Sequence, residues 1–113
     1  MSHVLYCDEN SEGKLDKLLE VSNPKEVIVK AIEYFKNPDI KVYLSNRKNK
    51  KYMIIHPKTD KMVHFGDINY TDYTKHKDKE RREAYLKRAS NIKGNWIFDR
   101  YSPNSLSLNL LWG

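Results

Sequence analysis

The apolar positions of this 113-residue chain fall into short runs separated by polar turns, and the spacing inside each run predicts its element. His3 to Cys7 is a short β-prone run, and Asp8 to Gly13 (DENSEG) reads as a turn. Leu15 to Val21 then returns as the second strand of an N-terminal hairpin, although KLDKLLE also suits a helix. The next element is plainer. Asn23 is a capping residue, Pro24 suits the first helical position, and Glu26 follows at capping-box spacing. Val27, Ile28, Ala31, Ile32 and Phe35 recur on one face, and Asn37-Pro38 stops the helix. A core-packing helix is expected here.

A meander of three antiparallel strands is predicted next: Lys41 to Ser45, Lys50 to His56, and Lys61 to Gly66. The turns between them are NRKN and PKTD. DINYTDY, residues 67–73, reads as a loop. A second helix is predicted from about Lys75 to about Ser90, with Tyr85, Ala89 and Ile92 at i, i+4 and i+7 and Leu86 beside them. Leu106, Leu108, Leu110 and Trp112 alternate with Ser and Asn, which predicts a C-terminal strand with one buried face. The expected fold class is α+β in one domain, 1–113. Its order is an N-terminal hairpin, a helix, a pseudo-barrel-like three-stranded antiparallel meander, a second, basic helix and a C-terminal strand.

Charge divides the chain. Residues 1–40 carry five Lys against eight acids, and residues 41–113 carry sixteen Lys or Arg against seven, so a net −3 precedes a net +9. The total of +6 and pI of about 9.3 favour a polyanionic partner. Tyr101 to Gly113 carries no Asp, Glu, Lys or Arg. Cys7, the single cysteine, has no internal partner, which suits a reducing compartment. No apolar run is long enough to span a bilayer, and no signal-peptide core is seen, so no membrane partner is expected.

Two basic clusters are candidate phosphate contacts. Arg47, Lys48, Lys50 and Lys51 sit at a predicted hairpin tip, which either reaches a nucleic-acid backbone or simply keeps a sheet edge soluble. TKHKDKERREAYLKR, Thr74 to Arg88, holds seven Lys or Arg, three acids and His76. Lys75, His76 and Lys77 crowd the start of the predicted helix, where cations oppose the dipole and a bound phosphate would relieve the conflict. Lys79–Glu83 and Glu83–Lys87 are spaced to pair at i, i+4. Arg81, Arg82 and Arg88 border the apolar stripe. The alternative is a solvated or internally paired face. Most of the aromatic residues belong to the core, and Trp96, after a glycine and near Lys93, is the candidate to wedge between bases.

Catalytic signals are weak. The four histidines show no ligand spacing, and there is no Gly-rich phosphate loop or nucleophile elbow. His76 with Asp72, Asp78 and Glu80 is the one arrangement that suits a metal-dependent nuclease. The chain is expected to be no enzyme, with no metal and no cofactor.

Residues from about Val4 to Ile55 resemble the methanogen chromosomal proteins. The shared features are an acidic turn, a helix opened near Pro24, the stretch NPDI at Asn37–Ile40, an alternating strand and a basic turn ending in Lys50-Lys51. That resemblance implies a pseudo-barrel and shape-sensitive, non-sequence-specific DNA binding, with Trp96 matched to a tryptophan in the family's binding arm. Residues from about Lys41 to Trp112 are similar to an uncharacterised domain family of large nucleocytoplasmic DNA viruses. KKYM, VHFG, DYTKHKDKERREAYLKR and YSPNSLSLNLLW carry that likeness. Together these imply an architectural protein that condenses or bends viral double-stranded DNA in the virion core or the viral factory of the host cytoplasm. The competing expectation is a minor capsid or virion-core protein that docks virion proteins through its uncharged C-terminal segment.

Overall fold

The computed structural model describes residues 4–7, 12–94 and 96–113 and has α+β architecture, a three-stranded antiparallel sheet wrapped by helices. The expected positions His3, Asp8 to Ser11 and Asn95 lie outside the described residues. Helix α1 spans Glu12–Val21, α2 Pro24–Phe35, strands β1 Tyr43–Leu44, β2 Lys50–Ile55 and β3 Met62–Asp67. Helix α3 spans Tyr73–His76, α4 Lys79–Ser90, and α5 Pro103–Leu106, with a π-helical turn continuing over Ser107–Leu111.

Helix α2 forms as its caps dictate. The Asn23 side chain accepts the Glu26 N–H, Pro24 occupies the first turn, and Lys36 closes the end with φ 52 in the left-handed region. Its Val27, Ile28 and Ala31 are buried against the sheet and the C-terminal helix. In the sheet, Leu44 faces Tyr52 and Tyr52 faces Phe65, so these side chains share one face by strand alternation. Tyr52, Ile54 and Phe65 are fully buried, and each such side chain stabilises the fold by about 1.5–3 kcal/mol. β2 is the central strand, and Lys51 and Met53 on its opposite face are buried as well. A strand covered on both faces has no solvent-facing register. The order β1-β2-β3 leaves the sheet open, so it does not close into the expected pseudo-barrel.

Two expected strands are helices. Leu15 to Val21 does not return as a hairpin strand, because Leu15, Leu18 and Val21 fall at helical spacing and turn together into the core within α1. Further upstream, Tyr6 makes one parallel bridge to Tyr43. At the C-terminus, the side chain of Ser102 accepts the Ser105 N–H and Pro103 follows at the first helical position, which starts a helix rather than a strand. The alternating leucines then become i, i+4 neighbours, and Leu106 and Leu110 are both fully buried. The π-helical turn, closed by Trp112 N–H to Ser107 O at 3.2 Å, brings Leu111 into the same core.

The expected second helix is two. Lys77 ends α3 with φ 55, and Asp78 caps α4 by accepting the Glu80 and Arg81 N–H groups. Lys75 and His76 therefore lie in the last turn of α3, where the charge of Lys75 suits the dipole, and the expected conflict at the start of a long helix does not arise.

Candidate nucleic-acid interface

The site is organised by a buried polar chain where α1, α2, β2 and α3 meet. Lys51 Nζ lies 2.9 Å from Asp72 Oδ2, with the two side chains 2% and 1% exposed. Asp72 Oδ1 accepts the Thr74 N–H at 3.0 Å and the Thr74 hydroxyl, which makes Asp72 the cap of α3. Asn23 N–H donates to Thr74 Oγ1 at 2.9 Å, and Tyr52 donates its phenol proton to Ser22 Oγ at 2.7 Å. One proton per hydroxyl fixes the remaining link. Thr74 gives its proton to Asp72, so Ser22 must donate to Thr74 across 3.2 Å. The chain Tyr52, Ser22, Thr74, Asp72 thus runs in one direction onto a carboxylate that Lys51 neutralises. Burial pushes the Lys51 ammonium below its ordinary pKa and the Asp72 carboxylate pushes back; burial raises the Tyr52 phenol. Lys51 belongs to this interior rather than to the hairpin tip, with its ammonium held by Asp72.

The other three hairpin cations are placed as expected. Arg47 and Lys48 are exposed and Lys50 half-buried. Lys14 of α1 braces the turn by donating to the carbonyls of Ser45 and Arg47, adding a fourth cation. His64 lies beneath them, with Nδ1 2.7 Å from Ser45 Oγ. Burial, then Arg47, Lys14 and Lys50, lower its pKa. Among the described residues, ion pairs engage only Lys17, Lys30, Lys51 and Lys77, so the hairpin cations are not neutralised there.

The basic residues of α3 and α4 separate by role. Lys75 is exposed. Lys77 pairs with Glu26 of α2, which also holds Lys30 at 3.5 Å. Arg82 donates Nε to the Trp112 carbonyl at 2.8 Å and lies over the Tyr73 ring, so it fastens the C-terminal segment. His76 is turned inward, with its ring against Trp112 and Tyr73. Its Nδ1 accepts the Asp78 N–H at 2.9 Å, which leaves the proton on Nε2, and Nε2 is buried without a partner among the described residues. Burial and then Arg81 lower its pKa, so it is neutral at pH 7 and is not an outward phosphate contact. The expected Lys79–Glu83 and Glu83–Lys87 pairs do not close into ion pairs. Trp96 opens a 3₁₀ turn, is half-buried, and donates Nε1 to the Ile92 carbonyl at 3.3 Å.

Arg81 and Arg88 do share a site, which sequence reasoning did not locate. They line a cleft of about 520 Å³ with Ala84 and Tyr85 of α4, Asp67 and Gly66 of β3, Tyr70, Thr71, Ser107 and Leu111 of the C-terminal helix, and Trp112 just past its end. Arg81, Ala84, Tyr85 and Arg88 stand at i, i+3, i+4 and i+7, one helical face. Tyr85 stacks on Trp112 with centroids 4.5 Å apart and planes 7° from parallel. Gly66 has φ 83, and a Cβ there would lie 2.9 Å from Leu111 Cδ1, so only glycine lets the C-terminal helix close the back of the cleft. Asp67 stands opposite Lys50 in the strand register, so the hairpin cations begin where the cleft ends. Among the described residues, no group of three His, Cys, Asp or Glu side chains is placed to hold a metal ion. No described helix is long and apolar enough to cross a membrane.

A cationic hairpin beside an arginine-lined cleft defines a small basic α+β protein with a positively charged rim. Residues 40–89 match a family model described as a family of unknown function (DUF5754). No curated protein and no solved structure matches the chain. The matched stretch contains Lys51, Gly66, Asp72, Thr74, Arg81 and Arg88. It stops short of Leu111 and Trp112, which complete the cleft.

Proposed function

We propose that the chain binds double-stranded DNA through the phosphate backbone without reading its sequence, as an architectural protein that condenses or bends viral DNA. The observation that carries this reading is the hairpin tip: Arg47, Lys48 and Lys50, braced by Lys14, with no carboxylate paired to them among the described residues. Lys75, Arg81 and Arg88 extend the same positive field along α3 and α4. Association with the virion core or the viral factory is proposed on the similarity of DYTKHKDKERREAYLKR to the viral domain family. The competing capsid-docking role needs an uncovered C-terminal segment, whereas Leu106, Leu110 and Leu111 are buried at 0–1% exposure. That favours the DNA reading.

The test is a duplex titration at several salt concentrations. The log of the binding constant should fall linearly with log salt, by about 0.9 per phosphate neutralised, and unrelated duplexes should bind alike. Absent or salt-insensitive binding overturns the proposal.

A further inference from the structure

We propose that the cleft between α4, β3 and the C-terminal helix is a nucleotide site that takes one planar base together with its phosphate. Its volume of about 520 Å³ lies within the roughly 300–1,000 Å³ of small-ligand clefts. The walls divide the chemistry. Arg81 and Arg88 stand two helical turns apart, about 10 Å along α4, and Ala84 between them leaves room at the floor. Neither arginine forms an ion pair among the described residues. Lys51 also lines the cleft, but Asp72 already holds its ammonium. The anionic end of a ligand therefore goes to an arginine, whose planar fork suits phosphate.

Aromatic surface supplies the remainder. Tyr70 is 67% exposed at the cleft, and its ring has no aromatic partner among the described residues. Tyr85 and Trp112 form a stacked pair that also lines the cleft. Asp67 also lines the cleft; its Oδ1 accepts the Asn69 N–H and side-chain amide, which leaves Oδ2 as an acceptor suited to an exocyclic amine or a ribose hydroxyl. A bare phosphate would use only the arginines, and an uncharged aromatic molecule would leave them idle. A nucleotide uses both. The proposal takes its ligand class from the phosphate-binding reading. The nucleotide is either free or an unstacked residue at the end of a strand, and the two sources share this chemistry.

The experiment is a fluorescence titration in a Trp96→Phe background, which leaves Trp112 as the only indole. The probes are the four nucleoside 5′-monophosphates, with inorganic phosphate and the matching nucleosides as controls. A saturable change with monophosphates is expected, weaker with either control. Arg81→Ala and Arg88→Ala, both at exposed positions, should raise Kd about tenfold or more, the worth of a charge-assisted hydrogen bond, with circular dichroism unchanged. Tyr70→Ala should weaken monophosphates and leave phosphate unaffected. Wild-type protein without saturable binding overturns the inference, as does equal affinity for phosphate alone or nucleoside alone. Oligonucleotides with a single-stranded end, set against blunt duplexes, tell a strand end from a free nucleotide. Arg47→Glu with Lys48→Glu separates this site from the duplex reading, since it should weaken duplex binding and leave monophosphate affinity intact. Blunt-duplex binding that is absent from the wild type while monophosphates still saturate the cleft sinks the duplex reading alone.

Discussion

Replacing Asp72 with Ala removes the acceptor on which the buried chain ends. The Lys51 ammonium, 2% exposed and 2.9 Å from the lost carboxylate, is then buried without a counter-charge. Breaking one partner of a buried pair costs about 3–5 kcal/mol. The same substitution strips the cap from α3, where Asp72 accepts the Thr74 N–H at 3.0 Å, for about another 1 kcal/mol. The two terms share one residue and do not sum fully, so about 4 kcal/mol is expected. Against a total stability of roughly 5–15 kcal/mol, that is a large share of the fold. Lys51→Met should cost less, because Asp72 keeps two donors from Thr74. The double variant Lys51→Met/Asp72→Ala buries no charge, and it should be more stable than Asp72→Ala alone. Urea denaturation at constant m-value measures all four proteins. A double variant as unstable as the sum of the singles, or an Asp72→Ala loss below about 1 kcal/mol, would refute the view that the pair is held by mutual neutralisation in a dry interior.

Four further outcomes follow from the same packing. His64 and His76 both have pKa values lowered by burial, so the unfolded chain binds more protons below its own histidine pKa. Their stabilisation is complete above about pH 6.5 and is lost as pH falls from there through the folded values; His64→Gln should flatten that part of a melting-temperature profile, and an unchanged slope would count against it. Gly66→Ala should cost about 1–3 kcal/mol, since it adds a Cβ 2.9 Å from Leu111 Cδ1 at a residue with φ 83, read by thermal unfolding. Leu110→Ala should cost about 2–5 kcal/mol if the C-terminal helix is core; a neutral result in a stable monomer would return that segment to a docking role. Charge reversal at Arg47, Lys48 and Lys50 should weaken binding to every duplex alike and reduce the salt slope, and a sequence-dependent loss would point to base contacts instead.

Most of the fold was legible where local signals agreed. The Asn23-Pro24 cap, the strands of the meander and the NRKN and PKTD turns all carry their own stop and start chemistry. The two misread strands share a cause: apolar spacing that fits two periods. Leu106, Leu108 and Leu110 alternate like a strand, yet Leu106 and Leu110 are also i, i+4, and Ser102-Pro103 was the signal that decides for helix. Leu15, Leu18 and Val21 have helical spacing, and the structure takes the helical alternative for KLDKLLE over the hairpin strand. The break in the basic stretch was written in Asp78, an N-cap residue placed ahead of Glu80, although the left-handed Lys77 before it has no comparable sequence mark.

The candidate site was half legible for a different reason. Charge is visible in sequence, but its partners are not. Lys51 and Arg47 sit in one basic cluster, and only the fold shows that strand alternation turns Lys51 inward to a carboxylate twenty-one residues away while Arg47 stays in water. The same rule sorts the second stretch. Asp72 and Thr74 serve the interior, Lys77 and Arg82 tie α2 and the C-terminal helix in place, and the face at i, i+3, i+4 and i+7 is left with Arg81 and Arg88 and no acid paired to either among the described residues. Substituting the tying residues should therefore lower stability, and substituting Arg81 or Arg88 should change binding alone. Two classes of phenotype from one continuous basic run would be the mark of a positively charged site built on a fold that does not need its charge.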